Sequence, residues 1–322
     1  MITQGIIEFS IADFAHDIRA GLSKKGQKEL PSKYLYDDIG SALFDAICLL
    51  PEYGLTRADE RILRDHAQAI VDRVPSPVVV AELGSGNARK TRWLLEAFCR
   101  RQPTTYYPIE ISRSALATAK LRLQQIDCIS IVGFEKEYLD GLLAVAARRP
   151  DGYRILVLFL GSTIGNFDRP AAVRFLQEIR HILKPGDVML LSTDLEKSVS
   201  QLVQAYDDPL GVTAAFNLNL LARINRELDA DFNLRHFEHM VRFDHAERRI
   251  EMHLRSTRAQ TVSITKAGLS VHLRKGETIW TESSHKYTLK EVSAIAAQSG
   301  FKCDAQWADS EWPFVESLLI AE

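Results

Sequence analysis

The sequence predicts an α/β protein: a doubly wound parallel sheet, with a second, α+β piece set into it. Three observations carry that expectation. The run Val78-Val79-Val80-Ala81-Glu82-Leu83 is apolar, of strand length and closed by an acidic position, and the tight turn Gly84-Ser85-Gly86 and a helical pattern follow it directly. From there to Thr193, strand-length apolar runs alternate with helical periodicities, which implies parallel strands joined by right-handed crossovers. After Glu196 the pattern changes to helices followed by strands of period two, as in a separate α+β segment.

Taken in order, residues 11–22 and 41–50 read as helices. Between and after them lie two turn-rich stretches that carry tyrosines, Pro31-Ser32-Lys33-Tyr34-Leu35-Tyr36-Asp37-Asp38 and Leu50-Pro51-Glu52-Tyr53-Gly54-Leu55. They are read either as a substrate wall or as packing anchors. Residues 57–74 form an amphipathic helix, with Leu63, Ala67, Val71 and Val74 at helical spacing. Strand 78–83 and a helix over 89–98 come next, then strand 105–110 and a helix capped by Ser112 and running to 123. A short strand over 129–132 precedes a helix over 137–147. The almost wholly apolar run 153–160 suits the buried middle of a parallel sheet. Helix 171–183 stops at Lys184-Pro185-Gly186, and 187–193 is the fifth strand.

In the inserted segment, helices are expected over 196–206 and 212–228. Ile250, Met252 and Leu254 should then face one way and Glu251, His253 and Arg255 the other, with further strands over 271–274 and 278–281. The tail returns to the first pattern, with a helix over 289–298, Gly300 as its cap, and strands over 301–307 and 314–320.

The ligand of the glycine turn can be narrowed. A dinucleotide fingerprint needs a third glycine where this chain has Arg89. The pattern E-x-G-x-G is instead similar to that of class I S-adenosylmethionine (SAM) methyltransferases, whose ligand has no phosphate. Such sites need a second acid at the end of the next strand for the ribose hydroxyls, and Thr105-Tyr106-Tyr107-Pro108-Ile109-Glu110 supplies one.

Bulk properties exclude several classes. The chain has 322 residues, 46% hydrophobic and 25% charged, with a net charge of −2, which is enough for a full core and gives no sign of a nucleic-acid or membrane-surface partner. The 4 cysteines, Cys48, Cys99, Cys128 and Cys303, lie far apart without a C-x-x-C, as in a reduced cytoplasmic protein without a zinc knuckle. No signal-peptide pattern opens the sequence, and no apolar run is long enough to span a bilayer. His236 and His239 do not form H-E-x-x-H. The context reads as a strand that would put them on opposite faces, so no metal site is expected.

After the fourth strand comes Phe159-Leu160-Gly161-Ser162-Thr163-Ile164-Gly165-Asn166, where glycines let backbone approach a ligand and Asn166 offers both donor and acceptor. Several longer stretches accompany it: Glu82-Leu83-Gly84-Ser85-Gly86 with Lys90-Thr91-Arg92; Ala205-Tyr206-Asp207-Asp208-Pro209-Leu210-Gly211-Val212-Thr213-Ala214-Ala215-Phe216-Asn217; Arg249-Ile250-Glu251-Met252; and Thr281-Glu282-Ser283-Ser284 with Lys286-Tyr287. With Tyr34-Leu35-Tyr36-Asp37 and Leu50-Pro51-Glu52-Tyr53, they resemble, over nearly the whole chain, the L-histidine Nα-methyltransferases of ergothioneine biosynthesis.

That resemblance implies a class I, Rossmann-like methyltransferase domain over 58–195 and 286–322, and a substrate-binding domain from 1–57 and 196–285. It implies trimethylation of the α-amine of L-histidine to hercynine, with SAM as methyl donor, by a cytoplasmic monomer. Asn166 and Tyr206 would hold the substrate carboxylate, Glu282 and Ser284 would read the imidazole with Tyr53 nearby, and Tyr36 would sit near the amine. The expected catalytic residues are thus Tyr36 and Asn166. Phe44 and Met252 would wall the pocket, and Gly161 and Thr163 would floor it. SAM would lie on Glu82, Gly84, Gly86 and Lys90, with Glu110 on the ribose and Phe134-Glu135 on the adenine side.

The chain departs from the family pattern in three places. Tyr53-Gly54 stands where relatives often carry two tyrosines, so a looser wall is expected there. Glu110 replaces the usual Asp. Gly133-Phe134-Glu135 displaces the acid of the adenine side. The alternatives are the same chemistry on tryptophan or tyrosine, and a SAM-binding protein without turnover.

Overall fold

The computed structural model describes residues 11–322. The chain divides into two compact units, one of residues 1–53 and 198–284 and one of residues 54–197 and 285–322.

The second of these is built on one sheet. Its parallel strands are β2 (Val78–Leu83), β3 (Thr104–Glu110), β4 (Ile129–Ile131), β6 (Arg154–Phe159) and β7 (Val188–Asp194), and the two-residue β5 (Phe134–Glu135) pairs with the end of β3 beyond β4. At the far edge β13 (Phe301–Ala308) and β14 (Phe314–Ala321) form an antiparallel hairpin, and β14 also runs antiparallel to β7. The strand order β13-β14-β7-β6-β2-β3-β4 reverses about β2. A ligand crevice therefore opens at the carboxyl end of β2, where the glycine turn sits.

Strand alternation explains the two cores. Val79, Ala81 and Leu83 of β2 point to one face, under α6 (Tyr138–Arg148), α7 (Arg169–Ile182) and α10 (Leu289–Gln298). Val78 and Val80 point to the other, under α3 (Leu55–Arg73), α4 (Thr91–Cys99) and α5 (Arg113–Leu123). Both faces of the middle strands are covered, which is why β2 and β6 read as continuous apolar runs. Ser112 caps α5, accepting from the Ala115 N–H.

The other unit has a four-stranded sheet in the order β1-β12-β9-β8, made of β1 (Lys28–Glu29), β8 (Phe237–Asp244), β9 (Arg249–Ser256) and β12 (Thr278–His285), the last running into the junction at 284–285. A hairpin of β10 (Gln260–Ile264) and β11 (Leu269–Leu273) stands apart from it. Helices α1 (Ile11–Leu22), α2 (Asp38–Ile47), α8 (Val199–Tyr206) and α9 (Val212–Leu228) complete the unit. Helix α9 buries Phe216, Leu220, Leu221, Ile224 and Leu228 along one stripe.

Four expectations are corrected. Helix α2 lies three residues earlier than the 41–50 expected, because Asp37 caps it and accepts from the Gly40 N–H (2.7 Å). Strand β9 does not alternate between core and solvent: Glu251 and His253 are buried as well, the first against Arg249 (2.7 Å), the second stacked on Trp280. His236 ends a 3-10 turn, and only His239 is in a strand. Cys99 and Cys128 form a disulfide, with Cα atoms 5.7 Å apart, so the expectation of four reduced thiols fails. Sequence spacing hid this, because the end of α4 and the entry to β4 meet only through the sheet.

Candidate active site

The turn after β2 has the form a nucleoside needs. Gly84 and Gly86 both have positive φ (+70° and +50°), which glycine tolerates at no steric cost. A Cβ at Gly84 would lie 3.1 Å from the Tyr138 hydroxyl, while one at Gly86 would meet nothing within 4 Å. The Gly86 N–H donates to Glu110 Oε2 and the Ser112 N–H to Glu110 Oε1 (3.1 Å each), so the acid ending β3 is fixed beside the turn. Behind the turn, Glu82 is wholly buried and accepts from the hydroxyls of Thr91 (2.8 Å) and Tyr106. Burial pushes its carboxyl up to about 7, against the pull of those two hydrogen bonds.

Lys90 stands at the start of α4 and pairs with the buried Asp59 of α3. Burial opposes its charge, but Asp59 outweighs burial and holds the ammonium above its ordinary value. Gly161 has φ +78°, and a Cβ there would lie 3.1 Å from Lys90 Nζ, so glycine keeps this approach open. The segment after it is a 3-10 turn over Thr163–Asn166. The Thr163 hydroxyl donates to the Leu160 carbonyl (3.1 Å), and the Gly165 carbonyl is bound by His285 Nδ1 (2.9 Å). A Cβ at Gly165 would lie 3.0 Å from the His285 carbonyl oxygen, so a side chain there would crowd the His285 backbone. Asn166 is half-buried at the end of the turn.

Glu135 lies in register with Glu110 and pairs with Arg113 (3.1 Å). Phe134 is different: its ring is packed in the core against Tyr107, with the Arg148 guanidinium over it. The ring therefore does not extend the cofactor surface.

In the other unit, the tyrosine-bearing segments have separate fates. Tyr34 is a buried anchor that donates to Asp17 (2.8 Å). Tyr36 and Tyr53 join a set of rings set mostly edge to face. Tyr36 lies 5.5 Å from both Phe44 and Phe216, Phe44 lies 6.2 Å from Tyr53, and Tyr53 lies 5.9 Å from Tyr206. Burial raises the Tyr53 hydroxyl well above its ordinary pKa, so it stays neutral. Glu282 and Ser284 are two apart on β12 and so share one face of the strand. The Tyr206 hydroxyl donates to Ser284 Oγ (2.7 Å), and the Tyr36 hydroxyl lies at the long distance of 3.5 Å from Glu282 Oε1. Met252 is buried on β9, and its carbonyl accepts from Thr281 (3.0 Å).

The neighbouring polar groups are structural. Asp37 also accepts from Asn219 (2.7 Å) and binds Arg226 (2.5 Å), tying the Tyr36 segment to α9. His239 is held at both nitrogens, by the Tyr206 carbonyl (2.8 Å) and Asn217 (2.9 Å). Among the described residues no group of three His, Cys, Asp or Glu could hold a metal ion.

Sequence reasoning gave no role to Phe216, Tyr138, Asp59 or Glu316. Phe216 lies within one of the matched motifs, but as part of the apolar stripe of α9 it reads as core. The other three act through contacts between elements far apart in sequence.

The expected looser wall at Gly54 is also corrected. A Cβ there would come within 2.1 Å of the Trp312 ring, which fills the space instead.

A parallel sheet reversing at β2, an antiparallel β13-β14 edge and an acid-flanked glycine turn define a SAM-dependent methyltransferase of the class I fold. The comparisons are more specific. The chain belongs to the family of histidine-specific, SAM-dependent methyltransferases, whose profile matches residues 14–321. A histidine N-alpha-methyltransferase of Mycolicibacterium smegmatis is 40% identical over 329 residues, covering 99% of this chain and 100% of that one. Ergothioneine biosynthesis protein 1 of Neurospora crassa is 30% identical, over 88% of this chain but only 32% of the longer fungal protein. An L-tryptophan methyltransferase of Psilocybe serbica is 28% identical over 90% of this chain and 87% of that one.

Proposed function

We propose that this enzyme methylates the α-amine of L-histidine three times, giving hercynine in ergothioneine biosynthesis. The observation that carries the reading is the pairing of Glu282 with Ser284 on one face of β12, beside the rings of Tyr36 and Tyr206. An imidazole has two ring nitrogens and donates from at least one. A carboxylate and a hydroxyl satisfy both, whereas an indole or phenol leaves one of them unmatched.

SAM, when bound, supplies an electrophilic methyl group. The residues placed to hold it are Gly84, Gly86 and Lys90, with Glu82 behind the turn and Glu110 and Glu135 along the strand edge. The residues present fit that ligand: the turn has positive φ at both glycines and open space at Gly86. The protein's own work is to bind and orient. Asn166 and Tyr206 hold the carboxylate, Gly161 and Thr163 form the floor, and Tyr36 directs the amine. A free α-amino group has a pKa of about 8, so little base strength is needed to keep it neutral. Alignment can then supply most of the rate, about 7–11 kcal/mol in favourable cases. The faces of Tyr36, Phe44, Tyr53 and Phe216 tolerate the growing ammonium charge.

The test is mass spectrometry of purified enzyme with SAM and a panel of histidine, tryptophan and tyrosine. Hercynine from histidine, and a higher kcat/KM for it than for the aromatic substrates, is the expected result. Preference for tryptophan would reassign the pocket, and SAM binding without any product would leave a cofactor-binding protein. The proposal includes a monomer in the cytoplasm. No helix among the described residues is long and apolar enough to cross a membrane. Light scattering, and thiol labelling in cells quenched with acid, test these two points.

A further inference from the structure

One buried cluster in the SAM-binding unit is not used by the reaction as described. Asp59 of α3 accepts the Gly161 N–H at Oδ2 (2.9 Å), and the same oxygen pairs with Lys90. Its Oδ1 is buried and meets no donor. Glu316 of β14 accepts from the Ser192 hydroxyl of β7 at Oε1 (2.6 Å), and its Oε2 is likewise buried without a donor. The two side chains hydrogen-bond to each other. Two carboxyl groups in contact, each with an orphaned oxygen, are both satisfied by one proton between them.

We propose that Asp59 and Glu316 are a proton-sharing positioning pair: the Glu316 acid locks the Asp59 carboxylate, which in turn fixes Lys90 and the Gly161 backbone in one arrangement. Asp59 thereby links the lysine assigned to the cofactor with the glycine assigned to the substrate floor. The inference rests on those two assignments.

The charges around the pair require the proton. Around it are Lys90 from the start of α4, paired with Asp59, Glu82 from the end of β2, which lies near Asp59, and the neutral Ser192, which donates to Glu316. With Glu316 ionised, it and Asp59 would be two buried carboxylates beside the single ammonium of Lys90, with Glu82 close to Asp59. Burial and the Asp59 charge both push Glu316 well above its ordinary value, so it is the protonated member. A neutral Glu316 leaves the Lys90 ammonium balanced by Asp59 alone.

Infrared spectroscopy and calorimetric titration with S-adenosylhomocysteine test this on the full chain. At about pH 8.5, where Glu82 is ionised, the wild type should show the carbonyl stretch of a protonated carboxylic acid, and Glu316→Gln should lose it. Glu316→Gln keeps a donor, so its affinity for S-adenosylhomocysteine should stay within about threefold of wild type, whereas Glu316→Ala should weaken it about tenfold. Rescue by the amide separates positioning from mere folding, and both readouts are independent of which amino acid is methylated. A band that survives Glu316→Gln, or a Glu316→Ala protein that binds like wild type, overturns the proposal. If Glu316→Ala does not fold, Asp59→Asn replaces it, with the same tenfold expectation and the same overturning result.

Discussion

In the proposed function, selectivity turns on Glu282. Its carboxylate shares a face of β12 with Ser284, and the glycine turn belongs to other elements. Glu282→Ala should therefore lower kcat/KM for histidine about 100-fold while leaving S-adenosylhomocysteine affinity unchanged, because a charged hydrogen bond is lost only at the side chain of the substrate. Steady-state kinetics beside a cofactor titration decide it, and a variant that lost cofactor affinity but kept its histidine preference would contradict the role. Asn166 should behave in the opposite way. Its proposed partner is the carboxylate common to every amino acid, so Asn166→Ala should raise KM about tenfold or more for any substrate accepted, histidine or tryptophan alike. An effect confined to histidine would remove Asn166 from the carboxylate.

At the scale of elements, the start of α3 shows how a departure in sequence is absorbed by structure. Gly54 precedes α3 with ordinary backbone angles (φ −73°), so its requirement for glycine is purely spatial. The Trp312 ring lies where a Cβ would be, and its indole N–H is engaged by Asp194 (3.1 Å), which also pairs with the buried Lys286 (2.8 Å). Gly54→Ala should cost about 1–3 kcal/mol by overpacking, seen as a lower Tm, and Trp312→Leu in the same chain should recover part of the loss. Equal Tm values for Gly54→Ala and wild type would show that the ring can move aside.

The same region marks what was legible in the sequence. Elements with their own punctuation were read closely: α1, α9 and α10 begin and end where periodicity and caps put them. The β2 turn and Glu110 were legible because strand, glycines and acid lie within one short stretch. The Trp312–Gly54 fit, the Cys99–Cys128 pairing and the Asp59–Glu316 contact were not, since each joins distant segments and no local pattern encodes the meeting. Of the proposed pocket, Tyr36, Tyr53, Tyr206, Glu282 and Ser284 came from long motifs held in order. Phe216 lies in one of those motifs too but drew no role, because a buried ring in a helix stripe looks the same whether it packs a core or walls a site.

For the whole molecule, the buried acid behind the cofactor turn ties stability to pH. The Glu82 carboxyl is pushed up to about 7 by burial, while in the unfolded chain it returns to the ordinary value of 4.5. Between those limits the folded state keeps a proton that the unfolded chain has released, so this group favours folding at low pH. Its contribution is fully present below the unfolded value and is lost as pH rises through about 7, by up to about 3 kcal/mol. Other groups act with the opposite sign: burial lowers His239 and His253, and ion pairs and hydrogen bonds hold Asp17, Asp208 and Asp309 low despite partial burial. The total pH profile therefore mixes signs, and the informative quantity is the difference between wild type and Glu82→Gln. The amide is neutral at every pH and keeps an oxygen to accept from Thr91 or Tyr106. In urea titrations the stability of the wild type relative to Glu82→Gln should fall by up to about 3 kcal/mol between about pH 5 and pH 8, in the transition that melts the unit carrying residues 54–197. A difference that stays constant across that range would mean that Glu82 is ionised throughout, and that the hydroxyls of Thr91 and Tyr106 outweigh its burial.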